Sequence, residues 1–196
     1  MLERSDPAAA ALLDQVLADW LRRGPLACLL QLIAQVWRTD LQRHDPELGD
    51  DAQTLGILAS RNLCNLAVRR LSGLPAVRAS DRRTLEVVYG ARVLHVGKAP
   101  SESLTWDVTT MDWSSSEVRD DAARANSEAY LAAQGTLFEL IPFPGRTQSP
   151  TALAHLHLAW QGFPDGTTRA WLGFPRLGAP AWFAVTPLDI LNEAAA

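Results

Sequence analysis

The hydrophobic period of this chain changes near residue 85, and that change is the strongest constraint on its fold. Upstream, apolar residues return every three or four positions, as on a helix with one buried face. Downstream they alternate or run in short β-branched and aromatic blocks, as strands do. A chain that is helical first and stranded afterwards predicts an α+β fold, with an amino-terminal helical layer on a mostly antiparallel sheet.

Asp6 followed by Pro7 opens the first helix, because the Asp carboxylate can accept orphan backbone hydrogens and Pro fits the first turn. Leu12, Leu13, Val16, Leu17, Trp20 and Leu21 keep helical spacing until Gly24-Pro25. A second helix carries Leu26, Leu29, Leu30, Ile33, Val36, Trp37 and Leu41 and stops near Pro46. A third starts at Asp50 or Asp51 and ends before Gly73. The short connections predict antiparallel neighbours.

Residues 85–89 and 92–96 read as strands joined by Gly90-Ala91, which sets Tyr89 opposite Arg92, Val88 opposite Val93 and Glu86 opposite His95. Ser114 with Glu117 has the spacing of a capping box, so one further helix is expected over about 115–134. Strands are then expected over 136–143, 152–161, 168–174 and 181–186, with Pro164-Asp165-Gly166 as a turn. This turn pairs Gly162 with Thr168 and His157 with Gly173. It sorts Leu156, Leu158, Trp160, Ala170, Leu172 and Phe174 onto one face, and His155, His157, Gln161, Arg169 and Trp171 onto the other.

The chain has 196 residues, enough for one domain with its own core, read as a helical part over 6–73 and a sheet part over 84–186. Its 47% apolar content and net charge of −4 exclude a mainly disordered chain. No apolar run reaches the roughly 20 residues that span a bilayer, and the first residues lack a secretory pattern, so a soluble, cytoplasmic protein without membrane association is expected. Cys28 and Cys64 each sit in an apolar helical pattern and read as buried thiols.

Chemistry has three possible locations. His155 and His157 project from one strand face, as metal ligands on a sheet must, and the glycine opposite His157 suggests space beside it. No third ligand is evident; Glu86, His95, Asp107, Asp112 and Glu139 are the possibilities. Glu86 opposite His95 could orient the imidazole as a general acid, although such pairs are usually plain cross-strand contacts. Gly97-Lys98, with the only lysine of the chain, ends a stretch that fails as a phosphate loop: Ala99 replaces the hydroxyl residue and the context is a hairpin. Nucleophile-elbow, zinc-helix and dinucleotide-binding patterns do not occur.

Charge supplies the third location. Residues 61–83 hold Arg61, Arg69, Arg70, Arg78, Arg82 and Arg83 against Asp81 alone. Arginine suits phosphate, but an acidic chain lacks the basic excess typical of nucleic-acid binders, so nucleic acid is not the expected partner. The last 63 residues hold all five Phe and three of the seven Trp but only seven charged side chains. Both faces of such a sheet should be covered, by this chain's helices or by another chain.

The first expectation is therefore a non-enzymatic interaction protein that binds a protein partner, or itself as a homodimer, through Trp171, Arg169, Phe163 and Gln161, with no cofactor. The second is a small metal- or acid/base-dependent enzyme built on His155, His157, His95 and an acid. The third is phosphate or nucleic-acid binding through Arg69, Arg70, Arg78, Arg82 and Arg83.

Overall fold

Three helices, α1 (Pro7–Arg22), α2 (Leu26–Arg43) and α3 (Ala52–Leu71), precede three strands, β1 (Val77–Asp81), β2 (Leu85–Tyr89) and β3 (Arg92–Lys98). One helix, α4 (Glu117–Ala133), then leads to β4 (His155–Gly162), β5 (Thr168–Pro175) and β6 (Trp182–Pro187). The structure is a computed structural model that describes residues 6–99, 106–133 and 152–188. The strand expected over 136–143 lies outside the described residues.

The helices begin where backbone hydrogens find acceptors. Asp6 accepts from the amides of Ala8 and Ala9 at 2.8 and 3.0 Å, and Asp51 accepts from Thr54 at 2.7 Å. The expected capping box at Ser114 does not form. Asp112 captures the Ser114 amide and hydroxyl instead, residues Trp113–Ser115 make a 3-10 turn, and α4 starts at Glu117. The Asp112 carboxylate, a charged acceptor two residues upstream, binds the serine's own amide and hydroxyl hydrogens.

The six strands of the described residues form one sheet in sequence order. Every neighbouring pair is antiparallel except β3 and β4, which run parallel and are joined by the segment that carries α4. The hairpin register is as expected, with Glu86 opposite His95 and Tyr89 opposite Arg92; Gly90 supplies the positive φ of its turn, +62°. The β4–β5 register also matches, from Gly162 opposite Thr168 to His157 opposite Gly173. Strand β1 falls where the sequence suggested only an exit loop. Its hydrophobic content is too low to register as a strand, because it lies at an edge of the sheet and its pattern of burial has Val77 alone fully inside.

The two faces have separate cores. Helices α1–α3 cover Leu85, Leu94, Leu156, Leu158, Leu172 and Phe174, all essentially inaccessible to solvent. Burial of each such side chain contributes about 1.5–3 kcal/mol, so this layer supplies most of the cohesion. On the opposite face Val108, Met111, Trp113 and Ala123 pack against Ala159, Trp182 and Val185. Indole hydrogens fix both layers: Trp37 Nε1 donates to Phe163 O at 2.8 Å, Trp113 Nε1 to Ala181 O at 2.7 Å and Trp182 Nε1 to Val108 O at 2.7 Å. The weakly charged sheet is thus covered on both faces by its own chain. No helix among the described residues is long and apolar enough to cross a membrane.

Candidate functional site: a cationic cavity at the end of the sheet

The histidines lie under α4 and are held there by Asn126. Its amide donates to His155 O at 2.8 Å and Pro175 O at 3.1 Å, and its oxygen accepts from the His155 amide at 3.1 Å. His95 Nε2 and His155 Nδ1 share a hydrogen bond at 3.2 Å between nearly parallel rings. Glu86 Oε1 stands 3.7 Å from His95 Nδ1, beyond hydrogen-bonding distance, so the cross-strand register holds without a carboxylate–imidazole bond.

The space expected beside His157 is filled. A Cβ on Gly173 would come within 2.6 Å of the Trp182 ring, so the glycine accommodates an indole and leaves no opening. Trp113 meets His157 edge-on at 5.2 Å, and neither nitrogen of this buried imidazole has a hydrogen-bond partner.

Burial holds all three imidazoles in the neutral form. It pushes His95 down to about 4, helped by the charge of His155, and lowers His155 against a small opposing pull from Glu86. It depresses His157 well below its ordinary 6.5, reinforced by Arg119 and His95. A neutral imidazole so hard to protonate is a poor general acid near pH 7. Among the described residues no three His, Cys, Asp or Glu side chains converge as a metal site requires.

The residues expected to bind a protein partner are dispersed. Trp171 is half-buried against Trp106, with ring centroids 5.3 Å apart, and Gln161 is buried. Phe163 and Arg169 meet at the β4–β5 turn, where the guanidinium sits 5.1 Å from the ring beside a shallow cavity of about 320 Å³. Of the four residues, Phe163 and Arg169 line this cavity.

A larger cavity, about 500 Å³, opens at the carboxyl ends of β3 and β4. Three structural units deliver cations to it: α3 supplies Arg61, the β1–β2 turn supplies Arg82 and Arg83, and β3 supplies Lys98. Arg119 reaches in from the first turn of α4, and Asp81 is the single acid of the lining. The carboxyl ends of neighbouring parallel strands, where the connection leaves the sheet, are a recurrent place for ligand crevices.

Three of the five cations have identified neighbours, while Arg61 and Arg82 are exposed. The Lys98 ammonium lies 5.4 Å from the Trp37 ring centroid and 5.8 Å from that of Trp160, so two aromatic faces steady it at the cavity wall. Arg119 crosses Gly97: a Cβ there would lie 2.8 Å from the guanidinium and 3.2 Å from the His157 ring. Burial alone lowers the pKa of Arg119, and among the described residues it has no ion-pair partner. Arg83 pairs with Glu117 at 3.0 Å on the exposed rim. Cys64 lines the same wall, its thiol pushed up to about 11 by burial and by neighbouring Asp81.

Of the arginines singled out in the sequence, Arg82 and Arg83 enter the cavity. Arg69 borders a separate groove of about 350 Å³ between α2 and α3, while Arg70 and Arg78 are exposed and line neither cavity. Sequence reasoning missed Arg119 and the use of Lys98. The available signals were Gly97-Lys98 at the end of a strand and an arginine in the first turn of the following helix. Compared with protein-family models, curated proteins and solved structures, the chain finds no match.

Proposed function

We propose that the protein binds a phosphate-bearing ligand in the cavity at the carboxyl ends of β3 and β4. The observation that carries this reading is the charge of the lining: five cationic side chains and one carboxylate meet in a chain whose net charge is −4. A lining with more cations than acids sets up a local positive potential that draws anions to it against the overall sign of the chain. Arginine forks and one ammonium are the donors that suit phosphoryl oxygens.

The histidine cluster lends this reading a framework and no chemistry of its own: neutral and packed between aromatic rings, it forms the wall on which Arg119 rests. Calorimetric titration of the intact chain with inorganic phosphate and pyrophosphate tests the proposal. Binding that weakens with salt and is lost in Arg119→Gln supports it. Absence of binding to both anions at low ionic strength would overturn it.

A further inference from the structure

We propose that the exposed stripe of α3 is an interface between two copies of this chain, packed antiparallel about a two-fold axis near Ile57 and Leu58. Helical spacing makes the stripe. Leu55, Ala59, Leu63 and Ala67 turn one side of α3 into the core. Thr54, Ile57, Leu58, Arg61 and Asn65 lie on the other side at the spacing of one helix face, and all five are exposed. Ile57 is 55% exposed and Leu58 43%, while Leu48, in the turn that leads into the helix, reaches 83%. Three of the five large apolar side chains exposed among the described residues thus belong to α3 and its approach. Single exposed apolar residues are ordinary, but a group of them bordered by charge marks a contact surface.

Charge selects the occupant. The approach to α3 carries Asp45, Glu47, Asp50 and Asp51, with no Lys or Arg from residue 44 to residue 60. The second half of the helix carries Arg61, Arg69 and Arg70, with no acid from residue 52 to residue 80. Among the described residues none of Glu47, Asp51, Arg61, Arg69 and Arg70 is in an ion pair. A second copy laid antiparallel sets the acidic start of each helix against the basic half of the other, and a two-fold axis repeats every such contact. A parallel pair would instead set acid against acid and arginine against arginine, which disfavours that register.

With the axis between Ile57 and Leu58, Thr54 faces Arg61 and Asp51 faces Cys64 of the other copy. Arg61 then needs to reach only about 4.5 Å along the helix axis to meet the Asp51 carboxylate across the interface. Exposed ion pairs contribute little to affinity, so Ile57 and Leu58, meeting their own copies at the axis, supply most of the cohesion and the charges fix the orientation. One pair of helices is a small interface, which places association in the micromolar range. Arg61 also borders the anion-binding cavity, but the pairing of two α3 helices needs no anion.

Sedimentation velocity of the intact chain over a roughly hundredfold range of concentration reads the association. A monomer–dimer equilibrium is expected, weakened about tenfold or more in Ile57→Glu/Leu58→Glu. The circular dichroism of that variant should match the parent, because both side chains are exposed. Arg61→Glu should weaken the dimer as well, and adding Asp51→Asn, which keeps a helix cap, should restore part of the loss by removing the new repulsion. Should the double glutamate variant lose structure, Arg61→Glu and its rescue carry the test alone. Mild oxidation with peptide mapping reads the orientation. Leu58→Cys, at the axis, should give a disulfide-linked dimer, whereas Arg69→Cys, whose two copies would stand about 35 Å apart, should not.

A strict monomer at every concentration would overturn the proposal. If Leu58→Cys then resists a thiol reagent, the stripe is covered by the chain's own residues; if it reacts, the stripe faces solvent or a different protein. A dimer untouched by Ile57→Glu/Leu58→Glu and by Arg61→Glu would place the interface elsewhere and overturn the assignment too. Linkage through both Leu58→Cys and Arg69→Cys would overturn the antiparallel arrangement in favour of a parallel one.

Discussion

Acid should loosen this protein well before its carboxylates protonate, because two buried imidazoles, His95 and His157, and the half-buried His155 must acquire charge. For a histidine whose folded pKa lies below its unfolded value, the stabilising contribution is complete above the unfolded pKa and is lost as pH falls toward the folded one. His95 falls from 6.5 to about 4, so the loss begins near pH 6.5 and saturates near pH 4. At pH 5 this one group costs about 2 kcal/mol, and about 3 kcal/mol once the lower value is reached. His95 is only 5% exposed, so solvent screening removes little of that figure. His157 acts in the same direction, with Arg119 opposing its protonation in addition to burial.

The carboxylates do not confuse this window. At Asp6 burial is outweighed by hydrogen bonds from Tyr130, Ala9 and Ala8, which hold its carboxyl below 3.8; its contribution is lost only as pH falls below that value. Urea unfolding followed by tryptophan fluorescence between pH 7.5 and 4.5 measures the effect, with the denaturant slope checked for constancy. The expected outcome is a fall of about 2 kcal/mol or more between pH 7 and pH 5. His157→Phe, which places an apolar ring between Trp113 and Trp182, should flatten part of the slope whatever its effect at pH 7.5. A wild-type stability unchanged between pH 7 and 5 would refute the argument that these rings are buried in the neutral form.

Gly97→Ala should weaken phosphate and pyrophosphate binding several-fold while the chain stays folded, since the new methyl displaces the flexible end of Arg119, 2.8 Å away; calorimetry reads it. Asn126→Ala removes three hydrogen bonds that tie α4 to the start of β4 and the end of β5, and should cost about 3 kcal/mol in urea unfolding. Cys64, with its thiol near 11, should react with iodoacetamide at pH 8 at least an order of magnitude more slowly than a free thiol of ordinary pKa, by mass spectrometry.

The fold was legible wherever side-chain period and turn chemistry act locally. Asp6-Pro7 and Asp51 mark real helix starts, and the Gly90-Ala91 and Pro164-Asp165-Gly166 turns set both hairpin registers. The scarcity of charge in the aromatic sheet called for cover on both faces but left its source open between this chain and another; α1–α3 supply it on one side and α4 with residues 108–113 on the other. Strand β1 was illegible because Arg78, Ser80 and Asp81 give an edge strand no apolar alternation. The site was illegible because α3, the β1–β2 turn, β3 and α4 meet only through the parallel β3–β4 pairing, which no local pattern announces. His155 and His157 attracted attention by their spacing, yet spacing does not report the indoles of Trp113 and Trp182 that enclose His157.

The proposed anion site makes a demand on Arg119 that a surplus of surface arginine would not. A surface guanidinium costs nothing to leave in water, but Arg119 is drawn out of it across Gly97, and its pKa is lowered by burial with no acid beside it among the described residues. A folded chain retains such a group at a stability cost, and that cost is recoverable in two distinguishable ways. Replacing Arg119 by Gln should raise stability by about 1 kcal/mol, the usual result of trading a functional strain for a neutral side chain. If the cavity is the proposed anion site, bound pyrophosphate should raise stability further, by about 2.7 kcal/mol at a hundredfold excess over its dissociation constant, and only while Arg119 is present. If Arg119 merely decorated the helix, the variant would be neutral and the ligand would stabilise both proteins alike; the proposed site requires the two effects to oppose each other.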